Sequence, residues 1–551
     1  MTKQEIIKRL NVLPKGGLTV KTIKGKNGKN YSYTVLQWNE NGQQKSKTIK
    51  QEDVDYLKEQ LEERKKLEQK LERSDFSDDS TIEFKTHVIT GRTLKNLVDF
   101  VKIWKKRYCY KDVTDYIYGN DFGKVMILYG LRRTGKSTII KQVISEMSDE
   151  DFRKAAYIQI FPEDNLSALN KDLKKLEENG YKYIFVDEVT FLEDFIEGAA
   201  LLSDIYASIG MKIVLTGTDS LGFYLAGKNE LYDRCRMVHT TFISYKEFEE
   251  VLGVHGIDNY IQYGGTMCIS GSHYNDCVFN SRKRTDEYVD SAIANNIQHS
   301  LKSYQYGGHF RHLRTLSENN ELTNVINRVV EDMNHRFALD VIERNFKSSD
   351  LRISTANSEK GKIDQGHVYE IEEYLEALDL IEKIDIKNTD LSTDNEERTI
   401  FTQPGLRYSQ AVSFVETYFD NKSYNDVSAK EKQVVKERIL SEIKGRMTED
   451  IILLETKNAK PDKKVFKLQF SDGEFDMVIN DPKTLETEIY EIKHSDKTSE
   501  QQTRHLTDEK KCDITEFRYG KITKKVVLYR GKTCMFNDIH YINVEEYLSD
   551  I

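Results

Sequence analysis

The segment Gly130-Leu131-Arg132-Arg133-Thr134-Gly135-Lys136-Ser137 constrains this chain more than any other. It fits G-x-x-x-x-G-K-[ST] at every position, follows the apolar run Val125–Tyr129 and precedes a helical stretch over residues 138–147. Gly130 and Gly135 let successive backbone N–H groups curl around phosphate oxygens, and the helix N-terminus adds partial positive charge. Lys136 is placed to reach β- and γ-phosphates, and the Ser137 hydroxyl to ligate magnesium. Arg133, Thr134 and Thr138 complete the expected nucleotide contacts. A strand, loop and helix of this kind belong to an α/β domain, and ATP with Mg2+ are the expected cofactors.

Two further strands fit the same domain. Tyr183-Ile184-Phe185-Val186 ends in Asp187-Glu188, about fifty residues past the loop. Asp187 is expected beside the magnesium, and Glu188 where it polarises an attacking water. A hydrolytic glutamate argues against a small-molecule kinase, whose nucleophile comes from its substrate. The run 212–215 leads into Thr216-Gly217-Thr218, where Thr218 is a candidate sensor of the γ-phosphate.

A chain of 551 residues, 38% apolar and 31% charged, is long enough for several domains. No run of eighteen apolar residues is present, and the first residues carry no apolar export segment, so a cytoplasmic protein without a membrane span is expected. Six scattered cysteines form no Cys-x-x-Cys pair and read as reduced and structural. Charge is uneven: residues 1–50 carry ten Lys and Arg9 against Glu5 and Glu40, a net +9, leaving −18 for the remainder. A basic arm with Tyr31, Tyr33 and Trp38 suits a nucleic-acid contact or, equally, a solvated lysine-rich surface.

The expected organisation is an α/β multidomain chain in five parts. Residues 1–50 form a small β-rich unit, with Asn41-Gly42 as a hairpin turn, and residues 51–84 a charged helix and linker. The P-loop domain spans 85–255, with short apolar strands at 125–129, 155–160, 183–186 and 212–216. Residues 256–435 are mostly helical, and 436–551 return to strands. Within the middle part, 367–378 has helical spacing and leads to strands ending near 398–402, the pattern of a winged helix-turn-helix. Its helix holds several glutamates and few bases, so it suits a lid better than a DNA reader.

The C-terminal part holds a second constellation. Gly473-Glu474-Phe475-Asp476 reads as a strand with both carboxylates on one face, and Glu491-Ile492-Lys493 follows fifteen residues later. Asp476 and Glu491 are candidates to hold a metal, with Lys493 orienting or activating a water against a phosphodiester. Upstream, Glu449 in Gly445-Arg446-Met447-Thr448-Glu449 is a third candidate ligand, and Val526-Val527-Leu528-Tyr529 a closing core strand.

Together these motifs resemble a prokaryotic AAA+-type ATPase family whose members usually carry a winged-helix segment and a C-terminal domain related to PD-(D/E)XK nucleases. The strings Leu225-Ala226-Gly227-Lys228, Phe242-Ile243-Ser244-Tyr245-Lys246-Glu247-Phe248 and Tyr263-Gly264-Gly265 are similar too, and the likeness covers roughly residues 95–551. The position of Lys228 is usually arginine in that family, so Arg234 and Arg236 become candidates to reach a neighbouring subunit's nucleotide. The resemblance implies a parallel-sheet ATPase, a winged-helix-like lid, a restriction-endonuclease-like domain and a homo-oligomer. It implies an ATPase with Mg-dependent endonuclease activity on DNA. An ATP-driven switch whose nuclease-like domain only binds nucleic acid or a protein stays open beside it.

Overall fold

The computed structural model describes residues 13–24, 30–40, 43–50, 53–74, 82–192, 195–218, 222–223, 233–267, 278–303, 310–345, 365–390, 393–419 and 428–551. The chain forms two units, Met1–Glu83 and Phe84–Ile551. In the first, strands Gly17–Lys24, Asn30–Glu40 and Gln43–Ile49 pair antiparallel in chain order, and the helix Val54–Ser74 follows. Arg64 Nη1 ties that helix to Leu13 O at 2.8 Å. The Asn41-Gly42 turn and the Tyr31 and Tyr33 side chains lie outside the described residues.

Among its described residues the second unit holds two sheets. Six strands lie in the order His87–Ile89, Ala155–Gln159, Tyr183–Asp187, Lys212–Gly217, Val125–Tyr129 and Cys235–His239. All are parallel except His87–Ile89, which runs antiparallel to its neighbour. Val125 and Ile127 pack into one apolar layer and Met126 and Leu128 into the opposite one. Helices cover both faces, which is why these strands are continuously apolar instead of alternating. The strand bearing Asp187 and the strand entering the P-loop are separated by one strand, Lys212–Gly217. Three strand ends thus converge on the loop.

The other sheet has eight strands, ordered Glu396–Phe401, Ile381–Asn388, Lys464–Phe470, Gly473–Asp481, Glu486–Ile492, Lys521–Tyr529, Ile539–Asn543 and Cys534–Phe536. The 31-residue helix Ala429–Ala459, started by a Ser428–Glu431 capping box, lays Ile443, Met447 and Ile451 against Met477, Ile479 and Ile492. On the opposite face the helix Glu509–Tyr519 brings Cys512 and Tyr519 to Phe466, Phe475 and Val527.

This sheet crosses the boundary expected at residue 435. The helix Gln365–Ala377 is followed by the antiparallel hairpin Ile381–Asn388 and Glu396–Phe401, whose inner strand pairs in parallel with Lys464–Phe470. Hydrophobic spacing does reveal the hairpin, but strand pairing across eighty residues leaves no local mark in a sequence.

Candidate functional site

The P-loop takes its shape from three left-handed residues, Gly130 (φ 141°), Arg133 (φ 64°) and Gly135 (φ 92°). A Cβ on Gly130 would sit 2.6 Å from Thr240 Oγ1 and 2.9 Å from Thr241 N, so the position admits glycine alone. Leu131 N donates to Thr241 Oγ1 at 3.0 Å, and Thr134 Oγ1 donates to Leu131 O at 2.9 Å. The helix begins at Lys136, so Ser137 and Thr138 lie half-buried in its first turn. Lys136 Nζ donates to the carbonyls of Gly130 and Leu131 at 2.7 and 2.8 Å. Burial pushes this ammonium down to about 8, against the opposing pull of Glu188 and Asp187.

Asp187 is 2% exposed at the tip of its strand. It accepts from Tyr157 OH at 2.6 Å and from the Thr216 hydroxyl, which lock its orientation. At Glu188 the backbone turns left-handed (φ 58°), and its N–H donates to Thr216 Oγ1 at 3.3 Å. Burial first, and Asp187 second, raise the Glu188 carboxyl, while Lys136 and the Thr218 hydroxyl lower it. Its Oε2 is buried without a hydrogen-bond partner. A buried, uncommitted acceptor beside Lys136 suits a residue that takes a proton from water. The hydroxyl of Ser137 and the carboxylate of Asp187 are hard oxygen donors of the kind magnesium prefers.

Several residues that hold this loop carry no motif. Arg107 donates from Nη1 to Thr134 O at 2.6 Å and to Thr240 O at 2.8 Å, while Nε and Nη2 grip the two oxygens of Glu247 at 2.9 and 2.8 Å. Met267 N donates to Arg133 O at 2.7 Å, and Asn296 Nδ2 to Thr218 O at 2.7 Å. Gly265 (φ 106°) lies against Gln403, where a Cβ would meet Gln403 Cβ at 2.5 Å. Of these, only Glu247 and Gly265 fall within strings the sequence singles out.

The candidate arginines are engaged within the chain. Arg234 pairs with Asp204 at 3.2 Å and Arg236 with Asp112 at 2.9 Å. Lys228 and the residues around it lie outside the described ones.

In the C-terminal sheet Asp476, Glu491 and Lys493 meet. Lys493 Nζ lies 3.0 Å from Asp476 Oδ2 and 2.7 Å from Glu491 Oε2, and Ile492 N also donates to Asp476 Oδ2 at 2.8 Å. Burial alone would raise Asp476, but Lys493 and then Lys467 hold it at about 2. Burial first, and the Asp476 charge second, push Glu491 up to about 8. Its Oε1 is buried without a partner. Lys493 lines a cleft of 390 Å³, whose walls also include Arg344, Arg446, Glu474 and Gln502, while Asp476 and Glu491 are buried behind it.

Glu449, expected as a third ligand, is taken up otherwise. Its Oε2 lies 2.8 Å from Arg446 Nη1, 3.5 Å from Lys467 Nζ and 3.6 Å from Arg398 Nη1. Among the described residues no three His, Cys, Asp or Glu side chains are grouped to hold a metal ion. Asp450 is likewise paired, with Arg398 and with Arg407 Nη1 at 2.9 Å.

The short helix Ile257–Tyr263 carries contacts near the second site, and the chain just past it a contact to the P-loop. Near its start Asp258 receives Arg530 Nη2 at 2.7 Å and Lys444 Nζ at 3.1 Å, with His494 Nε2 at 3.5 Å. His494 is the neighbour of Lys493. Just past its end, Met267 holds the P-loop. A parallel link runs from Arg107 through Glu247 to Tyr245, whose N–H donates to Glu455 Oε1 at 2.6 Å on the helix that also carries Glu449.

Residues 123–249 match the family described as "AAA domain". With the sheet order and the loop geometry, this defines an AAA-type P-loop ATPase domain in the chain, a class that uses ATP, typically with Mg2+. No curated protein matches the sequence. Among solved structures, the Aeropyrum pernix ORC1 protein in complex with DNA aligns at 13% identity and a TM-score of 0.23, covering 61% of this chain and 100% of that one. C. elegans PCH-2 aligns at 12% identity and 0.20, covering 65% of this chain and 70% of that one. A structure described as the basis for katanin self-assembly aligns at 12% and 0.18, covering 53% and 82%. At these scores no shared whole-chain architecture is assigned. No described helix is long and apolar enough to cross a membrane.

Proposed function

We propose that the chain is an ATP-dependent nuclease acting on DNA, in which ATP binding and hydrolysis gate assembly or cleavage. The observation that carries this reading is that Lys493, which lines a cleft, holds both Asp476 and Glu491 within 3.0 Å of its ammonium. The order of helix Ala429–Ala459, three strands, helix Glu509–Tyr519 and strand Lys521–Tyr529 is the one expected of a PD-(D/E)XK-like fold. The links from the P-loop side to His494 and to the helix Ala429–Ala459 support coupling of hydrolysis to the second site.

At the nucleotide, Lys136 and the loop N–H groups hold phosphates, Ser137 and Asp187 hold magnesium, Glu188 accepts the proton of water and Thr218 reports on the γ-phosphate. At the second site, the oxygens of Asp476 and Glu491, one of them unpartnered, fit a single divalent cation. Such an ion, when bound, supplies a more acidic water and neutralises the scissile phosphate. Lys493, which lines the cleft, would be the side chain to hold a phosphate oxygen. The reading includes a homo-oligomer in the cytoplasm, with a place in defence or mobile-element biology.

The test is cleavage of labelled single- and double-stranded DNA with magnesium, with and without ATP, beside Glu491→Ala. Cutting that the variant loses, with ATPase activity intact, is the expected result. A second reading, an ATP-driven switch whose C-terminal fold only binds nucleic acid or a protein, is favoured by the pairing of every carboxylate in the cluster with a cation. Absence of cutting under all nucleotide conditions selects it.

A further inference from the structure

Lys467 is 2% exposed, yet its ammonium lies 2.6 Å from Glu474 Oε1, 3.5 Å from Glu449 Oε2 and 3.8 Å from Asp476 Oδ1. Three carboxylates around one buried ammonium is the arrangement usually made around a metal ion. The backbone is shaped for it. Between the pairs Phe466↔Val478 and Leu468↔Phe475 the register shifts, so Asp476 and Met477 together oppose Lys467. A bulge of this kind turns two successive side chains toward one face and re-aims them. Met477 packs with the Ala429–Ala459 helix side of the sheet, which places Asp476 on the side from which Glu449 descends.

The two lysines of the cluster differ. Lys493 is 35% exposed along its side chain and faces the cleft, whereas Lys467 is enclosed at 2%. An entering cation can push the first aside but has no path by which to expel the second. The unpartnered Glu491 Oε1, on a residue 3% exposed, marks where an ion finds an open donor.

We propose that Lys467 is a built-in cation standing where a second metal ion would otherwise sit, so that this site takes one divalent ion, between Asp476 and Glu491, in exchange for Lys493. The inference deepens the nuclease reading, which concerns what the same site acts on. Nucleases that use two ions hold both with carboxylates; here one of the two charges is covalently part of strand Lys464–Phe470.

The experiment is Mn2+ binding to the full chain without nucleotide, by calorimetry, with melting temperatures recorded alongside. Wild type should take one ion per chain and Glu491→Gln none. Lys467→Arg should still take one. Lys467→Met should take two, and its Tm should rise more with Mn2+ than that of wild type. Two ions, or none, in wild type overturns the inference, as does a folded Lys467→Met protein that still takes one. If Lys467→Met does not fold at any Mn2+ concentration, the wild-type and Lys467→Arg stoichiometries decide it. Wild type that binds one ion but cuts no nucleic acid defeats the nuclease reading and leaves this inference standing.

Discussion

Arg107 and Glu247, 140 positions apart, form a two-pronged ion pair in which each side chain is only 6% exposed. The same guanidinium holds the P-loop carbonyl of Thr134. Truncating one partner leaves the other charge buried and a loop carbonyl unmet. Arg107→Ala should therefore cost about 3–5 kcal/mol of stability. Lysine cannot reproduce a planar fork, so Arg107→Lys should lose most of this too. Denaturant unfolding measures the cost, and binding of a fluorescent ATP analogue should weaken in parallel.

On the proposed roles, Lys136 and Glu188 should separate nucleotide binding from turnover. Lys136→Ala removes the only loop cation that is buried among the phosphate-binding groups and should abolish ATP binding. Glu188→Gln keeps the shape but removes the proton acceptor, so ATP should bind as in wild type while turnover falls by about 10²–10⁴. Equilibrium binding beside phosphate release separates the two. A Glu188→Gln enzyme with wild-type turnover would remove Glu188 from the mechanism.

Glu455 makes stability depend on pH. It is buried where Tyr245 N and Tyr260 OH donate to it, and burial, with Glu247 adding to it, raises its carboxyl from an ordinary 4.5 to about 8. A raised folded value means the folded state holds the proton longer than the unfolded one. The associated stability is complete below pH 4.5, declines as pH rises, and is gone above about 8. Glu455→Gln keeps the acceptor oxygen and removes the titration. The variant should gain on wild type by on the order of a few kcal/mol between pH 5 and pH 9. Equal Tm differences at both pH values would refute this.

Glu491 should make metal affinity climb with pH. Burial first, and the Asp476 charge second, raise its carboxyl above the ordinary range, so an entering cation competes with a proton there. Mn2+ affinity should rise with pH through the range in which this carboxyl titrates, with proton release on binding. Calorimetry in buffers of different ionisation enthalpy reads both.

How far the sequence discloses this depends on how local each feature is. Val125–Tyr129, Tyr183–Asp187 and the P-loop are written in consecutive residues, because a strand, a tight loop and a helix start each have their own chemistry. Asp476 and Glu491 were legible as a spacing on two adjacent strands, although Lys493 falls just past the end of the second instead of on it. Arg107 was not, since a lone arginine before a tyrosine says nothing of a glutamate 140 positions away. Glu449 was legible as a helix glutamate, but its capture by Arg398, Arg446 and Lys467 depends on a hairpin and a bulge that only the folded chain brings together. Lys467 looked like any charged residue on a strand, and nothing in Phe466-Lys467-Leu468 announces a buried ammonium.

The hairpin Ile381–Asn388 and Glu396–Phe401 donates Arg398 to the carboxylate cluster and pairs Ile386, Lys387 and Asn388 with Lys467, Leu468 and Gln469. A fragment begun at residue 436 would strip this neighbour away and leave Lys464–Phe470 as a bare edge, a template for self-association. Gene fusion or recombination that hands this C-terminal piece to another protein must therefore carry the chain from before Ile381. The hairpin of the segment that reads as a lid belongs to the same sheet as the cluster, so the two stand or fall together.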